Sequence, residues 1–465
     1  MSQLLTEYFI SGFNILLPTV SQDLHIPREA QTWPVNAFSL AVASFLLFFG
    51  RLADMYGGFP LYLGGIIWLA VWSLVAGFVP SNLTLSLTRA SQGLGTAAYL
   101  PSSLMLLGSI YRPGPRKNII FSVYGACAPL GFFLGIFFAG LCAQYIAWRW
   151  YFFIGASLAA LTAVAAFWTI PSDIEERRAM GVKMDWPGAG LISIGLTLVV
   201  FAITNSANVL KPREAIYMNL ILTAGVLCLV VAFYFEGWVA EQPLLPFDFF
   251  DTPCIKPLFI ALFFQYGVLG NWILYSTLYM TDFMGASPMQ LVAWYTPLAV
   301  GGFVIATIGG FFLHRIHGTI LILIAGVSLL IACLLFAIIP IGASYWIYIF
   351  PACLTFTIGI DVTFSLANIF ISNSMPSKRQ GLAGGLANSL LQLSIALFLG
   401  VGGLIAGEET DEQVKQSYKH VFWFAFACAA MALVIIAGFV RLRKANSDYT
   451  FDEWLALEKK IRPSE

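Results

Sequence analysis

The sequence has little charge and few groups suited to catalysis or metal binding. Of its 465 residues, 10% are Asp, Glu, Lys or Arg, whereas soluble domains carry about 25%. The seven cysteines stand singly in apolar runs without a CxxC spacing, and the four histidines lie in or beside loops. This pattern disfavours a zinc site or an acid–base cluster. We therefore predict that the protein is not an enzyme and needs no metal or other cofactor. Basic and acidic residues balance at 24 each, which gives no indication of nucleic-acid binding.

Long apolar runs fill most of the chain, and 59% of its residues are hydrophobic. Because a helix needs about 20 apolar residues to cross a bilayer, these runs predict an all-α polytopic membrane protein with fourteen spans. We leave open whether the first span is complete at its start. The predicted spans are 4–20, 33–50, 60–79, 86–110, 118–141, 150–170, 187–206, 216–235, 255–281, 289–312, 319–339, 344–371, 381–406 and 420–440.

The distribution of basic residues between loops predicts the orientation of the chain. If the amino terminus is cytoplasmic, 17 of the 24 Lys and Arg residues fall on the inner side and six on the outer side. This is the bias that the positive-inside rule expects. We therefore predict that both termini are cytoplasmic.

Two ionisable residues inside predicted spans stand out, because a charge there is costly and usually functional. Asp361 lies near the middle of the twelfth span, and Arg89 lies early in the fourth. Asp361 is a candidate proton carrier, although a hydrogen-bonded helix contact is an equally good interpretation. Arg89 is a candidate for controlling proton or substrate charge, with snorkelling to the interface as the alternative.

Uncharged polar residues inside the spans supply candidates for the lining of a cavity. Each of them could instead serve as helix-packing contacts, which contribute about 0.6 kcal/mol on average. These candidates are Asn14, Gln92, Gln265, Asn271, Asn388 and Gln392.

The loop after the second span reads GRLADMYGGFPLYLGG and resembles the signature of the major facilitator superfamily in the matching cytoplasmic loop. The signature positions present are Gly50, Arg51, Leu52, Asp54 and Gly57. The basic pair that usually follows is replaced by Gly58 and Phe59. The glycines allow close approach of helix ends, and the Asp54 carboxylate suits the positive N-terminus of a neighbouring helix. We predict a cytoplasmic gate formed by Gly50, Arg51, Asp54 and Gly57, with a tight turn as the alternative.

Further stretches resemble the same superfamily. LTRASQGLGTAAYLPSS is similar to its fourth-span motif, and WRWYFFIGA is similar to the sixth span of fourteen-span drug:proton antiporters. GACAPLGFFLGIFFAG in the fifth span resembles an exporter motif, although Ala128 replaces its usual glycine. A proline that can kink the helix and glycines that allow close packing predict a hinge in this span. These positions are Gly125, Pro129, Gly131, Gly135 and Gly140.

The closest resemblance is to the fungal branch that contains aminotriazole-resistance, boron-efflux and low-affinity ammonium transporters. It rests on GACAPLGF, KMDWPGAGLISIGL, GIDVTFSLANIFISNSMP and QGLAGGLANSLLQLSIALFLGVGG. The first span departs from the related antiporters, because Phe9 stands where they commonly carry an acid.

The resemblance implies the major facilitator fold, with two six-helix bundles, two inserted helices and a substrate site between the bundles. The predicted units are an N-terminal bundle (1–170), a cytoplasmic linker (171–186), two inserted spans (187–235), a second linker (236–254), a C-terminal bundle (255–440) and a cytoplasmic tail (441–465).

Resemblance and composition together predict a secondary active transporter that works by alternating access. The leading hypothesis is proton-coupled efflux of a small organic compound such as a drug, toxin or secondary metabolite from a fungal cell. A boron or ammonium carrier, and a membrane sensor that does not transport, are the alternatives. We expect its partners to be the substrate, protons and the bilayer, without nucleic acid, and we expect a monomer in the plasma membrane.

Overall fold

The computed structural model describes residues 1–110, 115–179, 181–206, 212–240, 242, 244, 254–312, 316–340, 342–373, 380–407 and 411–442. Across these ranges the ordered elements are all helical.

Fourteen long helices occupy the described part of the chain, together with one short helix, α7. They are α1 (Ser2–Asp23), α2 (Thr32–Tyr56), α3 (Gly58–Ala76), α4 (Asn82–Ile110), α5 (Pro115–Tyr145), α6 (Arg149–Thr169), α7 (Ile174–Ala179), α8 (Trp186–Ser206), α9 (Pro212–Trp238), α10 (Ile255–Met284), α11 (Pro288–Phe312), α12 (Gly318–Ala337), α13 (Phe350–Asn373), α14 (Gln380–Ala406) and α15 (Asp411–Phe439).

The described residues form a long helix at each of the fourteen predicted spans, which confirms that prediction. Thirteen of the long helices are apolar enough to cross a membrane by length and composition. Helix α1 is not one of them, because it carries polar residues such as Gln3, Glu7 and Asn14. Most of α1 is buried against other helices. A helix shielded from lipid in this way does not need a uniformly apolar surface.

Two predicted segments contain elements that were not expected, and two others lie partly outside the described residues. The span predicted from residue 344 begins as one π-helical turn, Tyr345–Ile349, before α13 starts. The linker predicted at 171–186 contains the short helix α7. Most of the predicted tail at 441–465, and part of the linker at 236–254, lie outside the described residues.

The helices form two bundles with an inserted pair, as predicted. Helices α1 to α6 pack among themselves, and α10 to α15 do the same. Between the bundles, α2 packs against α14 and α5 packs against α11. The inserted helices α8 and α9 pair with each other, and α8 also contacts both α2 and α14.

The inserted helix α8 is joined to both bundles near its end by a polar contact. The Asn36 side-chain amide on α2 donates to Thr204 Oγ1 on α8 at 2.6 Å and to the Ala396 carbonyl on α14 at 3.0 Å. Farther along α8, the Ser193 hydroxyl donates to the Ser44 carbonyl on α2 at 2.7 Å. Helix α8 therefore lies against the seam between the bundles, and α9 packs on α8.

Candidate functional site

A central cavity lies between the two bundles, and the space in and around it that protein atoms do not fill is about 1050 Å³, open solvent included. Four helices of each bundle line it: α1, α2, α4 and α5 from the first, and α10, α11, α13 and α14 from the second. The lining is mainly apolar. Its charged side chains are Glu7, Arg89 and Asp361.

Asp361 presents a half-buried carboxylate to this cavity from the middle of α13. One turn earlier on the same helix, the Thr357 hydroxyl lies 2.6 Å from Asp361 Oδ2 and 3.0 Å from the Leu298 carbonyl on α11. The facing residue on α11 is Gly302, where a Cβ atom would lie 2.8 Å from Asp361 Oδ2. The absence of a side chain at Gly302 therefore leaves room for the carboxylate.

Arg89 reaches the same cavity from α4 and is 1% exposed. Its guanidinium donates to the Phe9 carbonyl at 3.0 Å, to Gln92 Oε1 at 3.1 Å and to the Pro34 carbonyl at 3.4 Å. The aromatic rings of Phe13 and Phe38 flank the guanidinium carbon, with centroids at 4.3 and 4.7 Å. Neutral acceptors and π faces thus stabilise this cation. Within the described ranges, no carboxylate lies at salt-bridge distance from it.

Glu7 is a lining residue that sequence reasoning missed. It lies on α1 and is half-buried, and Gln3 Nε2 donates to its Oε1 at 3.4 Å. It is close enough to Asp361 for the two carboxyl groups to interact electrostatically. A signal was present in the sequence, because Glu7 lies two helical turns before Asn14 and shares its face.

The six predicted polar lining residues fall into two groups. Asn14 lines the cavity, and its amide donates to the Ile10 carbonyl at 2.8 Å. The other five are buried in contacts between helices and do not line this cavity. These five are Gln92, Gln265, Asn271, Asn388 and Gln392.

Three of these buried amides have clear partners on other helices. Gln92 donates to Ser73 Oγ on α3 at 3.0 Å, in addition to accepting from Arg89. Asn271 donates to the Phe398 carbonyl on α14 at 2.9 Å. Gln265 accepts from Thr363 Oγ1 on α13 at 3.3 Å. These contacts fit the alternative interpretation of helix packing.

The small residues of the exporter motif on α5 have distinct surroundings. Gly131 and Gly135 face the backbone of α1, where added Cβ atoms would lie 2.7 Å from Leu4 Cα and 2.9 Å from Tyr8 Cα. Pro129 lines the cavity and lies beside Gly302 of α11. By contrast, a Cβ atom on Gly125 would meet no atom within 4 Å. The motif therefore brings α5 close to α1 on one side and to α11 on the other.

The signature between α2 and α3 makes a sharp turn. Gly57 has a φ of +105°, which L-amino acids with side chains rarely adopt. Arg51 donates from Nε to the Lys183 carbonyl at 3.1 Å and from Nη2 to Gln242 Oε1 at 2.9 Å. It thereby ties the end of α2 to the segments that flank the inserted helix pair. Gly50 faces Pro101 on α4.

The carboxylate at the N-terminus of α3 belongs to Asp173, in the segment after α6. Asp173 accepts from the amides of Gly58 at 2.8 Å and Phe59 at 3.0 Å. It also lies 3.9 Å from Arg177 Nε. The Asp54 carboxylate interacts electrostatically with Arg177 and Arg51. The predicted role of Asp54 at the N-terminus of a neighbouring helix stays a prediction.

The model of the Major Facilitator Superfamily matches residues 1–399. The chain belongs to this superfamily. It is therefore a multi-pass membrane transporter, and its two bundles and central cavity are those of a major facilitator protein.

Named relatives of this major facilitator protein are mainly fungal. The "Low affinity ammonium transporter" of Saccharomyces cerevisiae is 33% identical over 88% of this chain and 80% of its own length. The "Efflux pump terJ" of Aspergillus terreus is 30% identical over 94% of this chain and 86% of its own. The "Aminotriazole resistance protein" of S. cerevisiae is 28% identical over 97% and 85%. The resemblance to this fungal branch is confirmed.

Solved structures of other major facilitator proteins share the fold. A mutant of the nucleoside transporter NupG matches with a TM-score of 0.62, 12% identity, and coverage of 94% of this chain and 98% of that one. The human organic anion transporter MFSD10 matches with a TM-score of 0.59, 13% identity, and coverage of 93% and 99%. At these identities the likeness concerns the fold alone.

Proposed function

We propose that the protein is a proton-coupled exporter of a small organic compound. The observation that supports this most is Asp361, a carboxylate on the wall of a largely apolar cavity between two bundles. A carboxyl group in such a place can take up and release a proton at a cost that depends on what else occupies the cavity. The efflux pump terJ among the relatives favours export over import.

Alternating access assigns a role to each part of the site. The cavity binds substrate near the centre of the protein, and rocking of the bundles about the α2–α14 and α5–α11 contacts exposes it to either side. Arg89 supplies a fixed positive charge on the opposite wall. The predicted gate of Gly50, Arg51, Asp54 and Gly57 moves with the cytoplasmic end of α2, and the α5 residues Gly125, Pro129, Gly131 and Gly135 supply the hinge.

The charges of the loops support the proposed orientation, and the lining of the cavity by a single chain supports a monomer. Both termini lie in the cytoplasm and the exporter works in the plasma membrane as a monomer, with one cavity per chain. The N-terminal bundle (1–170) and the C-terminal bundle (255–440) are the units that move, and α8 and α9 form an insertion between them. Substrate and protons are its ligands, and the bilayer surrounds it.

Transport by purified protein in proteoliposomes tests the coupling. We expect an imposed pH gradient to drive accumulation of 3-aminotriazole or of the dye rhodamine 6G, and we expect Asp361→Asn to abolish the dependence on the gradient. Asp23→Asn is a matched control, because Asp23 is exposed at the end of α1 and accepts a hydrogen bond from Trp148. Accumulation that ignores the gradient in the unaltered protein would refute proton coupling. Full coupling in Asp361→Asn would make this residue structural.

A second candidate function is an ammonium carrier. It is favoured by the relative that is named for low-affinity ammonium transport and is 33% identical. Methylammonium is a suitable probe in the same proteoliposomes. Uptake of methylammonium down its own gradient, with no movement of the larger compounds, would favour this function over export of organic compounds.

A further inference from the structure

A buried amide on α2 joins three helices near the outer end of the bundles, which in the proposed orientation is the end where α2 begins. Asn36 lies about one turn after the start of α2 and is fully buried. Its side-chain nitrogen donates to Thr204 Oγ1 on the inserted helix α8 at 2.6 Å and to the Ala396 carbonyl on α14 at 3.0 Å. One side chain of the first bundle therefore holds both the insertion and the second bundle.

Helix α8 is attached to α2 by two further contacts. The Ser193 hydroxyl donates to the Ser44 carbonyl at 2.7 Å. The ring of Phe201 packs edge-to-face on that of Trp33, with centroids 5.4 Å apart. Because these contacts are spread along α8, we expect this helix to move together with α2 of the first bundle.

Helix α8 meets α14 of the second bundle by close packing around Gly400. A Cβ atom at Gly400 would lie 2.9 Å from Thr204 Oγ1, so the missing side chain allows the approach. One turn earlier on α14, Ala396 is buried in a cluster with Val200 of α8. Packed apolar surfaces can slide over each other, whereas the hydrogen bond from Asn36 has to break when α2 and α14 separate.

The outer ends of the two bundles are in contact in this structure. Between α2 and α14, a Cβ atom at Gly403 would lie 3.4 Å from Thr32 Oγ1. Between α5 and α11, the Met289 amide donates to Gln144 Oε1 at 2.9 Å. The Asn36 junction thus belongs to a conformation that is closed at the outer end, and rocking of the bundles toward outer opening pulls it apart.

The Asn36 amide is costly to bury at this position. Its Oδ1 accepts no hydrogen bond from the described residues, and an apolar side chain of the same shape would leave no such acceptor. Thr204 fixes the amide, because one amide hydrogen on Thr204 Oγ1 leaves the other directed at Ala396. An influence on the conformation explains such a residue better than an influence on stability does.

Building on the rocking bundles of the proposed function, we infer that the inserted helix α8 is part of the outer closure: Thr204 orients the Asn36 amide toward Ala396 of α14, and this junction stabilises the outward-closed conformation. Asn36 makes the bond between the bundles, and Thr204 is a positioning residue that acts through it. No described residue of α8 or α9 lines the central cavity. The inserted pair therefore acts on the balance between conformations and not on the substrate.

Hydrogen–deuterium exchange of the full-length protein in detergent, followed by mass spectrometry, tests the inference without substrate or a proton gradient. Asn36→Leu removes the donor and Thr204→Val removes the acceptor, each with little change of shape. We expect both to raise exchange at the outer ends of α5 and α11 (136–145 and 288–296) by roughly two- to tenfold, the change in population that one net hydrogen bond makes. Exchange in the inner halves of the same helices (123–130 and 300–307) should fall, because the bundles close there as they open outside.

Thr197→Val is the matched control, because its hydroxyl donates within α8 to the Ser193 carbonyl at 2.7 Å. It should leave exchange at both ends unchanged, and thermal melting shows whether each variant is folded. Because Thr204 acts through Asn36, the double variant should exchange no faster at the outer ends than Asn36→Leu alone.

Two results would overturn the inference. The first is unchanged exchange at the ends of α5 and α11 in folded Asn36→Leu and Thr204→Val. The second is exchange that rises at both ends together and adds in the double variant, since loss of stability alone produces that pattern.

Transport in proteoliposomes separates this inference from the proposed function. If a pH gradient drives neither 3-aminotriazole nor rhodamine 6G in the unaltered protein, the proton-coupled exporter fails, while opposite changes of exchange at the two ends still support the junction. If the gradient drives transport but exchange in the two variants does not change in opposite directions, the exporter stands and the role of α8 is wrong.

Discussion

Replacing Gly131 with alanine is expected to force α1 away from α5. A Cβ atom at this position would lie 2.7 Å from Leu4 Cα and 2.9 Å from the Leu4 carbonyl carbon, both of which belong to the backbone of α1. The Leu4 carbonyl oxygen would lie closer still, and because ordinary contacts begin near 3.4 Å, the two helices must separate by at least about 0.7 Å. A flexible side chain could turn aside, but a helix backbone must move as a whole.

The expected cost is that of overpacking, about 1–3 kcal/mol of unfolding free energy. Gly125→Ala is the control, because it makes the same chemical change on the same helix where no atom lies within 4 Å. Removing a glycine from an open helical site stabilises it by about 0.5–1 kcal/mol. Thermal melting in detergent should therefore place Gly131→Ala below the unaltered protein and Gly125→Ala at or above it.

Transport should respond in the same order, because α1 carries Glu7 into the cavity. Gradient-driven accumulation in proteoliposomes is expected to fall in Gly131→Ala and to persist in Gly125→Ala. If both variants melt and transport alike, the close approach of α1 to α5 is not what the glycine provides. A loss in Gly125→Ala alone would show that flexibility of α5, rather than packing, underlies the motif.

Three further substitutions test other parts of the structure by thermal melting. Arg89→Lys should lower the unfolding free energy by about 1–3 kcal/mol, because an ammonium group cannot reach Phe9, Pro34 and Gln92 together; an unchanged melting temperature would contradict this. Asp173→Ala should cost about 0.5–2 kcal/mol through loss of the α3 cap, and Asp173→Asn should cost less, because its one amide oxygen keeps one of the two backbone hydrogen bonds; equal losses would instead implicate Arg177. Gly57→Ala should cost about 1–3 kcal/mol because of its φ of +105°, whereas Gly64→Ala, in open space on α3, should not destabilise the protein.

The fold could be predicted from sequence because the bilayer demands long apolar helices, and such runs are visible without knowledge of their partners. The exception is instructive. Helix α1 was predicted as a span, yet it is not among the helices apolar enough to cross a membrane on composition. Its polar residues face the cavity and neighbouring helices, so their cost depends on tertiary packing that a hydropathy pattern does not record.

The site was predicted in part. Asp361 and Arg89 stand out as charges inside apolar runs, and both line the cavity. Glu7 also lies inside the first predicted span, but the resemblance to related antiporters points to position 9, where they carry an acid, and not to position 7. The helical period offered a better guide, since Gln3, Glu7, Ile10 and Asn14 lie on one face of α1 and all four line the cavity.

The buried amides show why residue type alone does not identify a lining position. Gln92 follows Arg89 by three residues on α4, so both lie on neighbouring faces of one helix. Arg89 nevertheless reaches the cavity, whereas Gln92 bonds to Ser73 on α3. Which face meets a cavity and which meets another helix depends on the rotation of each helix in its bundle, and this is a property of the assembled fold.

The exporter motif connects the two acids through a single helix. On one side of α5, Gly131 and Gly135 hold α1 and therefore fix the position of Glu7. On another side, Pro129 lies against Gly302 of α11, the residue whose missing side chain accommodates Asp361. Because α5 belongs to the first bundle and α11 to the second, rocking of the bundles changes the contact at Gly302 while leaving the α1–α5 contact intact. The surroundings of Asp361 should therefore change during transport more than those of Glu7, which makes Asp361 the member of the pair whose affinity for a proton follows the conformation.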